Sequence, residues 1–309
     1  MNPCDAFQQM YIIEQVMICP TELLQDICRK AFAALKSDVN HNTAAYRIVL
    51  VSLQYRTQDV EIFIDRSHVS QLMLLFNKDC LEEIEMVSCI LHLMYTWNVS
   101  IRSFIRLEIA SILTAYKKNK HPGIYQLLEL LKCIISGFLA PLKPQHSTLY
   151  TDVLLPLFCS PYVNDFFVPL SSCVYRMIEK EQSLLPLAVS FFMKCFPWPE
   201  QNHTLLYLSI LSKLLPYLPR CEFDSLQVQF YWIFATCAKS ECIETARLAL
   251  SVFYHPFIQD LVKDNITIAF PMLYRPFQQN AVCHWNKDIN QLSSNLTKML
   301  LVYLKSTSN

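Results

Sequence analysis

The sequence predicts an all-α fold, a HEAT/armadillo-like α-solenoid of paired antiparallel helices, and three observations carry this prediction. Apolar residues recur at spacings of three and four along most of the 309 residues, which is the period of one helix face. Strict alternation of apolar and polar residues, the pattern of a half-buried strand, is never sustained. Most of the sixteen prolines stand at the borders of the apolar segments, where helices begin or end.

The clearest helical pattern is the stretch 122–139, PGIYQLLELLKCIISGFL. Its apolar face comprises Ile124, Leu127, Leu128, Leu131, Ile134, Ile135 and Phe138. Similar periodicity predicts helices, in chain order, over 21–36, 66–77, 80–97, 183–195, 201–217, 223–238, 241–254 and 287–304. Prolines near predicted helix starts are Pro20, Pro122, Pro144, Pro161, Pro199 and Pro256, and those near predicted ends include Pro141, Pro219 and Pro276.

The predicted helices recur in pairs about every forty residues, which is the period of HEAT and armadillo repeats. The repeat itself is faint in sequence, and a compact all-helical domain is the alternative. Because no low-complexity linker divides the chain, we predict a single HEAT-like solenoid domain over 1–309.

Composition excludes several functional classes. The chain contains two glycines, Gly123 and Gly137, which is too few for the glycine-rich loops that hold nucleotide phosphates. The net charge of zero argues against general binding to nucleic acid or to an anionic membrane, although a local basic groove is compatible with it. The longest segment without Asp, Glu, Lys or Arg, Met86–Ile101, is shorter than the ~20 residues of a membrane-spanning helix.

The pattern of cysteines and the N-terminal sequence indicate the cellular compartment in which the protein resides. The thirteen cysteines form no C-x-x-C pair and mostly adjoin apolar residues, so we expect buried thiols in a reducing compartment, cytoplasmic and/or nuclear, and no zinc site. The N-terminal MNPCDAFQQ has neither the basic nor the apolar region of a signal peptide. No metal or other cofactor is expected.

Catalytic motifs are absent from the sequence. It contains no H-E-x-x-H, no G-x-S-x-G and no protein-kinase set. Cys283 and His284 are adjacent, but neighbouring residues on a helix point about 100° apart and do not face each other. We therefore expect a protein that is not an enzyme.

The most informative stretch runs from His92 to His146. Spacings of three, four, three and four separate His92, Tyr95, Val99, Arg102 and Arg106. They form a stripe on one continuous helix, or they face one groove from two helices if the chain turns near 98–100. Downstream follow Glu129, Leu130, Ile134, Lys143 and His146. Such groups suit an extended peptide with hydrophobic anchors and acidic flanks, whereas spacing alone favours ordinary core packing with surface charges.

Several fragments, in order and in register, resemble one known family. LHLMYTWNVSIRSFIR, HPGIYQLLELLKCIISGFLAPLKPQH, LLPLF, VKDN, LYR and HWNKDI are similar to segments of the B-prime regulatory subunits of protein phosphatase 2A. The resemblance runs from roughly residue 44 to residue 305, and the N-terminus is shorter than it leads us to expect. It implies a HEAT-like solenoid and a non-catalytic subunit that binds a scaffold subunit and a catalytic subunit and selects substrates.

The resemblance also implies a groove for short motifs of the Leu-x-x-Ile-x-Glu type. The matching residues are His92, Tyr95, Val99, Arg102, Glu129, Leu130, Ile134, Lys143 and His146. Leu93 stands where the family usually has an arginine, which removes one partner for the glutamate of the motif. Family members also carry glycines at the positions of Gly123 and Gly137, and a close backbone approach is expected at the second. The alternative function is a divergent peptide-binding adaptor that acts outside a phosphatase complex.

Overall fold

A computed structural model describes residues 3–35, 43–60, 64–78, 80–117, 120–198 and 201–307, and within these ranges it contains helices and turns but no β-strand. The chain divides into two compact units, Met1–Lys180 and Glu181–Asn309. The single domain predicted over 1–309 stays a prediction. No helix among the described residues combines the length and apolar character that crossing a bilayer requires.

The described part of the first unit is built from α-helices. They are α1 (Pro3–Ile18), α2 (Thr21–Ala34), α3 (Thr43–Tyr55), α4 (Thr57–Val60), α5 (Arg66–Leu74), α6 (Leu81–Trp97), α7 (Arg102–Ala115), α8 (Ile124–Ser136), α9 (Pro144–Thr148), α10 (Leu155–Leu157) and α11 (Val163–Lys180). A π-helical turn, Leu149–Leu154, joins α9 to α10. Helices α1, α3, α6, α8 and α11 pack in succession as one row, and α2, α5 and α7 lie behind it.

The second unit repeats this two-row arrangement. Its helices are α12 (Leu184–Lys194), α13 (Gln201–Leu214), α14 (Arg220–Ala238), α15 (Ile243–Ser251), α16 (Pro256–Asp264), α17 (Ile266–Cys283) and α18 (Lys287–Thr307). One row contains α12, α14 and α17, and the other contains α13, α15 and α18. The core between them holds the buried rings of Phe223, Phe230, Phe234, Phe253 and Phe277, whose contacting centroids lie 4.7 to 6.2 Å apart. Two rows of stacked helices confirm the predicted all-α, HEAT-like solenoid class.

Prolines mark most, but not all, of the helix borders predicted for them. Pro144 and Pro256 occupy the first turns of α9 and α16. Pro199 lies outside the described residues. The interpretation of Pro276 as a helix end is wrong, because Pro276 and Pro271 both lie inside α17. This helix packs between α14 and α18, and such packing compensates for the hydrogen bonds that the two prolines remove.

The two glycines flank α8, Gly123 before its first residue and Gly137 after its last. Both have negative φ angles, so neither is required for a left-handed conformation. A Cβ atom on Gly123 would lie 2.5 Å from the backbone oxygen of Phe76 and 2.9 Å from its Cβ. At Gly137 the nearest atom would be the Ile134 oxygen at 3.4 Å. The close backbone approach therefore occurs at Gly123, and its expected position at Gly137 is wrong.

Candidate peptide-binding site

The chain turns between α6 and α7, so the stripe from His92 to Arg106 is divided between two helices. The Asn98 side-chain oxygen accepts hydrogen bonds from the Ser100 backbone N–H at 3.0 Å and the Ser100 hydroxyl at 2.7 Å. A short 3₁₀ turn, Val99–Ile101, follows, and α7 begins at Arg102. The predicted turn between two helices is confirmed, whereas the shared groove stays a prediction.

Arg102 connects the two helices. Its Nε donates to the Tyr95 carbonyl and its Nη2 donates to the Thr96 carbonyl, both at 2.7 Å. These acceptors belong to the last turn of α6, where carbonyls lack partners along the helix and a cation is favourable. The bonds use two of the five N–H donors of the guanidinium. Arg102 therefore has a fixed orientation at the junction.

Arg106, one turn further along α7, completes a cation–aromatic group around Tyr95. Its Nη1 donates to the Tyr95 hydroxyl at 2.8 Å. The guanidinium carbons of Arg102 and Arg106 lie 5.5 and 5.9 Å from the centre of the Tyr95 ring, within cation–π range. The Arg106 guanidinium also lies 6.0 Å from the centre of the Phe138 ring. Two positive groups are thus held against two aromatic rings.

His146 extends this group and has unusual surroundings. The residue is 6% exposed, and its ring stacks on Phe138 with 3.8 Å between centroids and 3° between planes. Within the described part of the chain neither ring nitrogen has a hydrogen-bond partner. Burial lowers the pKa of His146, and the positive charges of Arg106 and Lys143 lower that pKa further. A neutral imidazole, with one donor and one acceptor nitrogen, therefore lies buried beside two cations.

The remaining predicted residues lie on or near α8 and α6. His92, Glu129 and Leu130 line one cavity of about 500 Å³, between α1, α3, α6 and α8. Leu93 lines the same cavity. Glu129 accepts a hydrogen bond from Lys132, and this bond raises the pKa of the Lys132 ammonium.

The structure thus places the predicted residues in two groups. In the first group, Arg106 contacts Tyr95, and His146 stacks on Phe138. Arg102 binds to Tyr95 and Lys143 acts on His146 through its charge. In the second group, His92, Glu129 and Leu130 share the cavity. Val99 is 70% exposed on the 3₁₀ turn, and Ile134 is only 1% exposed in the core face of α8. Which of these residues a peptide touches stays a prediction.

Two residues of this group were not predicted as site residues. Arg106 belongs to the stripe of the sequence analysis, and Phe138 belongs to the apolar face of the segment 122–139. Arg106 lies four residues after Arg102 on the same helix, which is a usable signal. Phe138 and His146 are separated by a loop, and no spacing rule predicts their stacking. Among the described residues, no three His, Cys, Asp or Glu side chains converge as metal ligands.

The fold and this surface define a helical-repeat protein with a cationic, aromatic face. Comparison with known sequences makes the class specific, because the sequence model of the protein phosphatase 2A regulatory B subunits (B56 family) matches residues 9–307. The chain belongs to the B56 family of protein phosphatase 2A regulatory subunits.

Curated relatives are similar at modest identity. The regulatory subunit psrA of protein phosphatase 2A from Dictyostelium discoideum is 30% identical over 84% of this chain and 43% of its own length. The delta isoform of the human 56 kDa regulatory subunit is 29% identical over 82% of this chain and 42% of its own length. The delta isoform of the same 56 kDa protein from Oryctolagus cuniculus is 29% identical over 82% of this chain and 43% of its own length. The chain spans about half the length of the curated relatives that it matches.

Proposed function

We propose that this chain is a non-catalytic regulatory subunit of protein phosphatase 2A. In this role it binds the scaffold and catalytic subunits and recruits substrates through short Leu-x-x-Ile-x-Glu-like motifs. Family membership supports the regulatory role, since the matched relatives are named as regulatory subunits. The thirteen cysteines form no C-x-x-C pair, which fits a reducing compartment, cytoplasmic and/or nuclear. The expectation that they are buried is wrong for Cys89, Cys133, Cys159, Cys195, Cys221 and Cys283, which are exposed.

The peptide-binding part of the proposal rests on one observation, the clustering of cationic side chains beside aromatic rings. Arg106 and Lys143 place positive charge beside the buried His146. Arg102 is bonded to Tyr95, whose hydroxyl Arg106 contacts. Because both nitrogens of His146 are closed to solvent, a peptide at this position meets the surrounding cations rather than the ring itself. Acidic or phosphorylated groups are the matching chemistry for clustered guanidinium and ammonium groups.

A peptide titration tests this site directly. Calorimetry with a Leu-x-x-Ile-x-Glu peptide is expected to show binding to the wild type and at least tenfold weaker binding to Lys143→Glu. Lys143 is exposed and precedes α9, so its charge reversal leaves the core unchanged. The matched control is Arg176→Glu on α11, which removes only an exposed ion pair with Glu179. Equal affinity in Lys143→Glu and the control would refute the site.

Reconstitution separates the two candidate functions. All nine predicted residues lie in the first unit, within 92–146, and peptide binding is measured on the full chain in the absence of the other subunits. The regulatory role predicts a ternary complex with the scaffold and catalytic subunits on size-exclusion chromatography. Peptide binding without that complex would favour the alternative, an adaptor that acts outside a phosphatase.

A further inference from the structure

A second, smaller pocket lies in the first unit, near the N-terminal ends of α8 and α11. Its cavity of about 200 Å³ is lined by residues that include Tyr125, Tyr162, Phe166 and His121. Tyr125 is 41% exposed and Tyr162 is 37% exposed, so both rings are accessible at the surface, whereas Phe166 and His121 are buried. Pockets for drug-sized ligands measure about 300–1,000 Å³, so this one suits a single head group or side-chain end.

The buried ring of His121 is held in a defined, uncharged state. Its Nδ1 accepts a hydrogen bond from the Gly123 N–H at 3.0 Å, which leaves the proton of the neutral ring on Nε2. The ring packs edge-on against Tyr116, with 4.3 Å between centroids. Burial lowers the pKa of His121, so the ring adds no positive charge to the pocket at neutral pH.

A carboxylate and an ammonium group stand beside the aromatic rings. Asp165 lines the pocket, and the Nζ of Lys120 lies 4.0 Å from its Oδ2. The side chains of Lys120 and Asp165 are 74% and 59% exposed, so their ion pair contributes little to stability. An ammonium group therefore already reaches this carboxylate, and it is held too loosely to prevent exchange for another cation.

We propose that this pocket binds a quaternary or methylated ammonium group. Aromatic rings attract cations through the negative faces of their π systems, and rings with one carboxylate match a bulky, weakly hydrated cation. An unmodified lysine ammonium is more strongly hydrated and loses more on entering such a cavity. Such an ammonium group occurs in Nε-trimethyllysine within a protein and in free compounds such as choline.

This pocket is separate from the peptide-binding candidate. It lies at the beginning of α8, near Tyr125, whereas the predicted peptide residues on that helix are Glu129, Leu130 and Ile134. No residue belongs to both sites. Ammonium binding therefore does not depend on the proposed regulatory function, and the failure of either leaves the other intact.

Titration of the full chain tests the proposal with four probes. They are tetramethylammonium chloride, choline chloride, a peptide with Nε-trimethyllysine, and the same peptide with unmodified lysine. Tetramethylammonium is expected to bind in the millimolar range, and the unmodified peptide about tenfold more weakly than the methylated one. Binding of the methylated peptide assigns the pocket to a modified protein. Binding of only the two small compounds assigns it to a free ammonium metabolite.

Three variants connect binding to this pocket. Tyr162→Ala and Asp165→Asn are expected to weaken tetramethylammonium binding by about threefold to tenfold, because each removes one attraction to the cation. Lys120→Gln is expected to strengthen it, since the competing ammonium is lost. The control Tyr217→Ala removes a tyrosine that is 77% exposed in the second unit and leaves binding unchanged. Absence of millimolar binding in both wild type and Lys120→Gln, or binding unaffected by Tyr162→Ala, would overturn the proposal.

Discussion

Replacing each glycine by alanine is expected to change stability in opposite directions. The structure distinguishes the two positions by what a Cβ atom meets. At Gly123 it would lie 2.5 Å from the Phe76 backbone oxygen, which can move only if the chain at Phe76 moves. At Gly137 the nearest atom would lie at 3.4 Å, an ordinary contact. Gly123→Ala therefore overpacks the structure, and Gly137→Ala does not.

The magnitudes follow from two terms. Overpacking a tight site costs about 1–3 kcal/mol. Exchanging glycine for alanine at a compatible φ stabilises by about 0.4–1 kcal/mol, because the unfolded chain loses freedom. The φ angles of −94° at Gly123 and −84° at Gly137 are both compatible with alanine. We expect Gly123→Ala to destabilise by about 1–2 kcal/mol and Gly137→Ala to stabilise by up to about 1 kcal/mol.

Urea unfolding followed by far-UV circular dichroism measures both variants against the wild type. Because both positions lie in the first unit, the two effects are compared on the same transition. If Gly123→Ala proves as stable as Gly137→Ala, the close approach to Phe76 does not constrain the fold, and the reasoning fails.

Three further predictions concern the candidate site. Leu93→Arg is expected to tighten a Leu-x-x-Ile-x-Glu peptide by about 1–2 kcal/mol in calorimetry, through a charged hydrogen bond to the glutamate; no gain would indicate a different motif. The pKa of His146 is lowered in the folded state, so the unfolded chain binds more protons below its ordinary pKa of about 6.5. Wild type should therefore lose unfolding free energy relative to His146→Phe as pH falls from about 7 to 5, whereas parallel pH curves would contradict this. Asn98→Ala should destabilise by about 1 kcal/mol in urea unfolding, because the bonds to Ser100 are lost; an unchanged midpoint would show that the turn does not need them.

The local periodicity of the sequence predicted many of the helices. Helix α17, in contrast, depends on packing against other helices, which a local pattern does not show. The apolar face around Leu127 and Leu131 predicted a helix within 122–139, and the observed α8 begins two residues later and ends three residues earlier. Helix α17 was not predicted, because Pro271 and Pro276 are strong local signals against a helix interior. Its burial between neighbouring helices outweighs that preference, and no local window of sequence contains the neighbours.

At the candidate site, too, local features could be predicted from the sequence, whereas features that depend on tertiary contacts could not. The turn near Asn98 was one of two alternatives in the sequence, and its side-chain hydrogen bonds are local. The stack of His146 on Phe138 depends on the path of the loop between them, which spacing does not encode. The near-complete burial of Ile134 likewise depends on contacts between helices distant in sequence.

The hydrogen bonds from Arg102 to the end of α6 have a thermodynamic consequence for any anion that binds there. Immobilising a free arginine side chain costs about 1.5–2 kcal/mol in rotamer entropy. Two carbonyls already fix this guanidinium when the chain folds, so a ligand meets a preorganised donor. Binding of an anionic ligand to Arg102 should accordingly show a smaller entropic penalty than binding of the same ligand to a surface lysine.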